Sequence, residues 1–382
     1  MAATSPTPVT NGQTVHLAGL LRQLRHRHDV HVVCYGDAFD VEGVSYTLLP
    51  LPDVPPRWRT VTDSFRGLVD GVPATVRRNQ RGGIHAAVHA TLANRQFDVG
   101  HIVGSGVGFV GFGTNLPWLL GVIDSWQLAH GELIKLAKPS RRPLMRITTT
   151  TGDRWERRLM RTLPMSVTSS EADRRVLLEL DPTSRVEVLP NGVDTVSLSP
   201  AKALKRTPGL IAFHGTMDFP PNVAGASVLA KEVFPRVRDK VPDARLRLIG
   251  RDPVDSVRAL AGDGVEVTGP VKDMAASLSE ACVYACAVWH GSGVKNKLLE
   301  AAALGLPIVS TTMGLGSLAF QDDRQLLIRD SVEEMAEGLV QLLVDPEARA
   351  RLGQSARLVV EQLYTWNRVA EQYCRLYEEL QA

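Results

Sequence analysis

The sequence predicts an α/β protein made of two Rossmann-like domains, each a parallel sheet wrapped by helices. Three observations lead there. Short β-branched runs alternate with amphipathic stretches along almost the whole chain. The alternation occurs twice, broken by the aperiodic, Pro-, Gly- and Ser-rich stretch LPNGVDTVSLSPAKALKRTPG at 189–209. A length of 382 residues also exceeds one ordinary core and suits two. The expected domains are 1–196 and 197–363, joined by a linker near 195–208, with a closing helix at about 364–382 packing back on the first domain. Ligands of such sheets bind beyond the carboxyl ends of the strands, so the cleft between the domains is the expected site.

The elements follow in order. Strands of the first domain are expected at VHVVCY (30–35), DVGHIV (98–103), WLLGVI (118–123) and SVTSS (166–170). Those of the second are GLIAFHG (209–215), RLRLIG (245–250), VEVTG (265–269), VYACAVW (283–289) and PIVSTT (307–312). Helical periodicity lies between them at 222–238, 272–281 and 296–304. A Rossmann-like domain opens with a buried strand, yet AATSPTPVTNGQ directly after Met1 already reads as the loop that follows one. The expectation is either a start further upstream or a sheet whose central strand is only a stub.

Composition excludes several classes. The chain is 44% hydrophobic and 22% charged with a net charge of +2, which argues against a dedicated nucleic-acid binder. No apolar run is long enough for a membrane span, and no basic-then-apolar leader is present, so a cytoplasmic protein is expected. The basic, partly amphipathic segment 141–161 is interrupted by Asp153 and Glu156, which limits the expectation to peripheral membrane contact at most. Cys34, Cys282, Cys286 and Cys374 lack metal-type spacing and read as reduced core thiols.

The chemistry concentrates in WHGSGVKNKLLE (289–300). A strand ends, His290 borders a glycine-serine turn, and a helix begins near Asn296. Unpaired amides and a partial positive charge at a helix start suit a phosphate, and glycines let it approach. Lys295 and Lys297 add full charges, and Glu300 lies one turn on, where a carboxylate can accept from a ribose diol. Two readings stand: a nucleoside diphosphate site, or a helix start with two solvated lysines.

The stretch GSGVKNKLLEAAALGLPIVST resembles the donor-binding signature of GT-B glycosyltransferases, specifically retaining family 4. Other segments match in order: TNGQTVHLAGLLRQLRHRHDVHVV (10–33), VEVLPNGVDTVSLSP (186–200), IAFHGTMDFPPNVAGASVL (211–229), LIGRDP (248–253) and YTWNRVAEQYCRLYEEL (364–380). The resemblance implies retaining transfer of a sugar from a UDP, GDP or dTDP donor to a hydroxyl of a glycan or small-molecule acceptor, with no cofactor, metal or nucleic acid. It implies a donor site at Ser292, Gly293, Val294, Lys295, Asn296 and Glu300, approached by Gly215 and Gly12. Glu300 matches the second glutamate of an E-x7-E motif, and Ser292 stands where the first is expected. HGTMDFPPN (214–222) lacks the arginine and lysine that neutralise diphosphate in many members, so Lys297, helped by Lys295 or Arg251, is expected to supply that charge. Asp124, after WLLGVI, is expected at the sugar or acceptor hydroxyl. Asn11 and Gln13 are expected near phosphate or acceptor, and His290 beside the phosphate loop. His101 and His130 are candidates by position only. Two alternatives share the layout: a nucleotide-sugar 2-epimerase, and a catalytically weak or inactive GT-B partner protein, which the serine at 292 favours.

Overall fold

The computed structural model describes residues 5–6, 12–39, 41–200, 206–290 and 295–382. The chain divides into two units: Met1–Asn191 with Val369–Ala382, and Gly192–Gly291 with Lys295–Arg368.

In the first unit, β1 (Val30–Tyr35) pairs in parallel with β2 (Val44–Leu49), Val30 opposite Val44. Four further strands pair in parallel in the order β3 (Gly100–Val103), β4 (Trp118–Val122), β5 (Met165–Thr168) and β6 (Val186–Val188). Every residue of β4 is buried, as its unbroken apolar run requires of a strand covered on both faces. Gly100 is fixed by packing: a Cβ there would lie 2.2 Å from the Trp118 ring. Helix Arg142–Thr162 backs this sheet through the buried Trp155, whose Nε1–H donates to the Ser105 carbonyl at 2.8 Å. The strands that sequence patterning passes over, β2 and β6, are half exposed or only three residues long, so neither leaves a full period.

Among the described residues β1–β2 and β3–β6 share no ladder. A cavity of about 300 Å³ is walled by Leu17, Leu21 and Leu24 of helix Gly12–Leu24, by Val32 of β1, and by Phe97, His101 and Tyr377. Residues 1–4, to which the sequence assigns the end of a first strand, lie outside the described residues. Val32 and Cys34 pack on helix Gly12–Leu24, whereas Val33 and Tyr35 face a different cluster around Ile84 and Val88. Helix Trp366–Gln381 contributes to the same unit from Val369 onward, with its Tyr377 hydroxyl 2.8 Å from His101 Nδ1 and its Tyr373 hydroxyl 3.2 Å from His16 Nε2.

In the second unit six parallel strands run in the order β12 (Leu327–Ile328), β11 (Ile308–Ser310), β10 (Val283–Cys286), β7 (Leu210–His214), β8 (Arg245–Ile249) and β9 (Val265–Val267). The chain moves outward from β7 to β9, returns to β10 beside β7, and moves outward the other way. That reversal leaves a crevice beyond the carboxyl ends of β7 and β10. The predicted helix at 222–238 is broken: α-helix Pro220–Val228 passes through one π turn, Leu229–Val233, into α-helix Phe234–Lys240. Pro235 explains the wider turn, because it has no N–H to donate and its ring displaces the carbonyl one turn back. Among the described residues no helix is long and apolar enough to cross a membrane.

Candidate functional site

The crevice of the second unit collects the polar groups. β7 delivers His214 at its last position, and Gly215 follows. A Cβ on Gly250, just past β8, would lie 1.8 Å from the Gly215 carbonyl, so only glycine lets these two strand ends close. Helix Asn296–Ala303, after β10, starts at Lys295 without a side-chain cap. Its apolar positions, Leu298, Leu299 and Ala301–Ala303, are buried, which turns Lys297 and Glu300 toward the crevice.

Glu300 and His214 meet at 2.8 Å between Oε2 and Nε2. Behind them the Tyr284 hydroxyl lies 2.9 Å from His214 Nδ1. Burial first, then the neighbouring Cys286 and Glu300, pushes the Tyr284 hydroxyl well above the usual tyrosine range, so it stays protonated. The network is satisfied with Tyr284 donating to Nδ1 and Nε2–H donating to Glu300. The carboxylate is thereby held from behind while remaining partly exposed.

Lys297 is the second feature. Part of its chain is accessible, but its ammonium is enclosed: Nζ donates to Asn222 Oδ1 at 2.5 Å and sits 4.8 Å from the centre of the Phe213 ring. Burial, with the Lys295 charge acting in the same sense, brings its pKa down from 10.5 to about 8. Burial of this kind disfavours the charged ammonium, and an anion beside it would favour it. Lys295 lies along Gly316, where a Cβ would come 2.9 Å from the Lys295 Cε.

The structure thus groups Lys295, Asn296, Lys297, Glu300 and Gly215 at one strand-end crevice. Ser292, Gly293, Val294 and Asn11 lie outside the described residues. His290 is exposed after β10. Arg251 stands in a turn beyond β8 as an exposed ion pair with Asp252 at 2.8 Å, and its carbonyl accepts from the Met217 amide. In the first unit Gly12 opens helix Gly12–Leu24, and the Gln13 side-chain amide donates to the Val103 carbonyl at the end of β3 at 3.3 Å. Asp124 is exposed directly after β4. The next two amides are held by buried carboxyls from other helices: Ser125 N–H by Asp173 at 2.9 Å and Trp126 N–H by Glu156 at 3.3 Å. Burial pushes Glu156 up to about 8 against its bonds from Ser105 and Trp126, and the charges of Asp153 and Asp173 act in the same sense as burial.

Sequence reasoning missed His214, Tyr284 and Asn222. HGTMDFPPN, read for its lack of arginine and lysine, carries the histidine that holds Glu300 and the asparagine that holds Lys297. A polar residue ending a strand at the reversal point was the available signal.

Two family descriptions divide the chain between them: Glycosyltransferase Family 4 matches residues 10–197 and Glycosyl transferases group 1 matches residues 208–345. The chain belongs to this glycosyltransferase family. Among curated relatives, this glycosyltransferase is 31% identical over 219 residues to the phosphatidyl-myo-inositol mannosyltransferase of Mycolicibacterium smegmatis, covering 55% of each chain. It is 29% identical over 213 residues to the GDP-mannose-dependent monoacylated alpha-(1-6)-phosphatidylinositol monomannoside mannosyltransferase of Corynebacterium glutamicum, covering 50% of this chain and 56% of that one. It spans about half the length of the curated relatives it matches. Its fold is GT-B. Sucrose-phosphate synthase of Thermosynechococcus elongatus superposes with a TM-score of 0.72 at 19% identity, covering 99% of this chain and 98% of that chain. Anabaena Alr3699/HepE in complex with UDP and glucose gives 0.68 at 13% identity, again covering 99% and 98%.

Proposed function

We propose that this glycosyltransferase moves mannose from GDP-mannose to a hydroxyl of an inositol-containing lipid acceptor, with retention at the anomeric carbon. The observation that carries the reading is the pairing of Glu300, held by His214, with the enclosed ammonium of Lys297 at the reversal point of one sheet. The activities by which the two mannosyltransferase relatives are named support the choice of sugar, base and acceptor.

In this reading Glu300 accepts from the ribose hydroxyls, and the diphosphate lies against the first turn of helix Asn296–Ala303 beside Lys297 and Lys295. As the anomeric bond breaks, negative charge gathers on the departing phosphate. An ammonium already fixed by Asn222 meets that charge without reorganising. The acceptor attacks on the face the diphosphate leaves, and its proton passes to a phosphate oxygen, so no strong protein base is needed. Asp124 orients the acceptor hydroxyl or the sugar. The chain's own cations balance the leaving group, and no metal is invoked.

Calorimetry with GDP, UDP and dTDP on the parent and on Glu300→Gln tests the donor site. One nucleotide should bind in the micromolar range and weaken in the variant; equal binding by both proteins refutes the ribose assignment. Release of GDP from GDP-mannose only when phosphatidylinositol is present tests the transfer. The serine at 292 favours a second reading, a nucleotide-binding partner without turnover, for which GDP binds but is never released from the sugar.

A further inference from the structure

In the first unit, the loops after β3, β4 and β5 are tied side to side by two buried carboxyls, Glu156 and Asp173. Glu156, on helix Arg142–Thr162, sets Oε1 2.9 Å from the hydroxyl of Ser105, just past β3, and takes the Trp126 amide on Oε2. Asp173, on helix Glu171–Leu180, accepts from the Ser125 amide with Oδ1 and from the hydroxyl of Ser170, just past β5, with Oδ2. The loop after β4 thus has a carboxyl on each side, one shared with the loop after β3 and the other with the loop after β5.

Helix formation alone does not call for this. Helix Trp126–Leu136 begins at Ser125, and a serine there ordinarily caps the helix with its own hydroxyl. The Ser125 hydroxyl makes no such bond; it is buried and has no partner among the described residues. The amides of Ser125 and Trp126 are held instead from 48 and 30 residues away. Taking two carboxyls out of water to hold two amides is a costly way to start one helix. What benefits is the residue in front of them. The Ile123 carbonyl, on the other side of Asp124, is also fixed, by the Ser169 hydroxyl at 2.8 Å. The backbone is therefore pinned before and after Asp124, while the Asp124 side chain is exposed.

We infer that Glu156 and Asp173 are positioning residues of the transfer reaction, fixing the turn after β4 so that Asp124 meets the acceptor hydroxyl or the sugar in one orientation. The inference rests on the role given to Asp124 in the proposed mannosyl transfer. Burial, with Asp153 and Asp173 acting in the same sense, keeps Glu156 protonated up to about 8. The neutral acid has a proton for the Ser105 oxygen and an acceptor for the Trp126 amide. Glutamine offers the same pair of groups, whereas leucine fills the space and leaves the amide without an acceptor.

Initial rates of the full chain with GDP-mannose and phosphatidylinositol, beside calorimetry with GDP, test this. Glu156→Leu should lower kcat/KM for phosphatidylinositol roughly a hundredfold, the cost of misplacing a group at the reaction by about an ångström. GDP should bind it as it binds the parent, because the nucleotide site belongs to the second unit. Glu156→Gln should keep the parent's rate. Added to Asp124→Ala, Glu156→Leu should cost nothing more, since a positioning residue has no effect once the residue it positions is gone. Additive losses in the double variant overturn the inference, as does a Glu156→Leu enzyme as fast as the parent or a glutamine variant as slow as the leucine one. Should Glu156→Leu not fold, Ser169→Ala, which removes one hydroxyl, should show a smaller loss and the same silence beside Asp124→Ala. A parent that transfers nothing to phosphatidylinositol refutes the mannosyl reading instead. The tie is then judged by hydrogen exchange of peptides covering 123–128, which should quicken in Glu156→Leu and not in Glu156→Gln; equal exchange in parent and both variants overturns it.

Discussion

Replacing Lys297 by methionine should make the unliganded protein more stable and a worse nucleotide binder. Methionine has nearly the volume of the lysine stem and no charge. The fall in pKa from 10.5 to about 8 corresponds to about 3 kcal/mol of disfavoured burial of the ammonium. Loss of the bond to Asn222 returns about 1 kcal/mol. The net gain is about 2 kcal/mol, or roughly 4–8 °C in the transition of the second unit. The sign of the pH dependence follows from a lysine pKa lowered on folding. The penalty is fully present below about 8, fades as the folded-state amine loses its proton, and is gone above 10.5. The stability gain of Lys297→Met should therefore be seen at pH 6–7 and vanish near pH 10. Saturating GDP should reverse the order, because a charge-assisted contact worth about 1.5–3 kcal/mol is absent from the variant. Thermal melts across pH, with and without GDP, measure all of this. A variant less stable than the parent at pH 7, or one bound by GDP as tightly, would refute the enclosed-cation argument.

Three further outcomes are expected. Glu300→Gln should weaken GDP by roughly 10- to 150-fold in calorimetry, the span of about 1.5–3 kcal/mol for a charge-assisted bond, with little change in melting temperature. Tyr284→Phe leaves His214 Nδ1 buried without its hydroxyl partner; a loss of about 1 kcal/mol of stability and a several-fold weaker GDP complex should follow, measured by denaturant titration and calorimetry. Glu156 has its pKa raised from 4.5 to about 8, so its contribution to stability is fully present below 4.5 and lost as pH rises through 8. Glu156→Gln should match the parent at pH 4–5 and exceed it at pH 8 in thermal melts, and unfolding of the parent at pH 6–7 should release a proton that the variant does not.

How much was legible depended on whether a feature is local. Five of the six strands of the second unit were, since β-branched runs bounded by Gly or Pro are short-range signals, while the two-residue β12 was not; Lys297 and Glu300, three positions apart on one helix, were legible too. The groups that hold them were not: His214 is 86 residues from Glu300, and Tyr284 is 70 from His214, distances closed only by the sheet order. The π turn at Leu229–Val233 was hidden because the apolar period continues through it. Helix Arg57–Asp70 shows a different limit. Periodicity tells which residues share a face, but not which face points inward, and Gly67 against Thr151 decides that only in three dimensions.

The approach of Gly250 to the Gly215 carbonyl leaves no room for a side chain where β7 and β8 end. One added methyl there would have to push those two strand ends apart, and His214, which holds Glu300, is the last residue of β7. The grip on the carboxylate is therefore open to disturbance by a residue that carries no functional group at all.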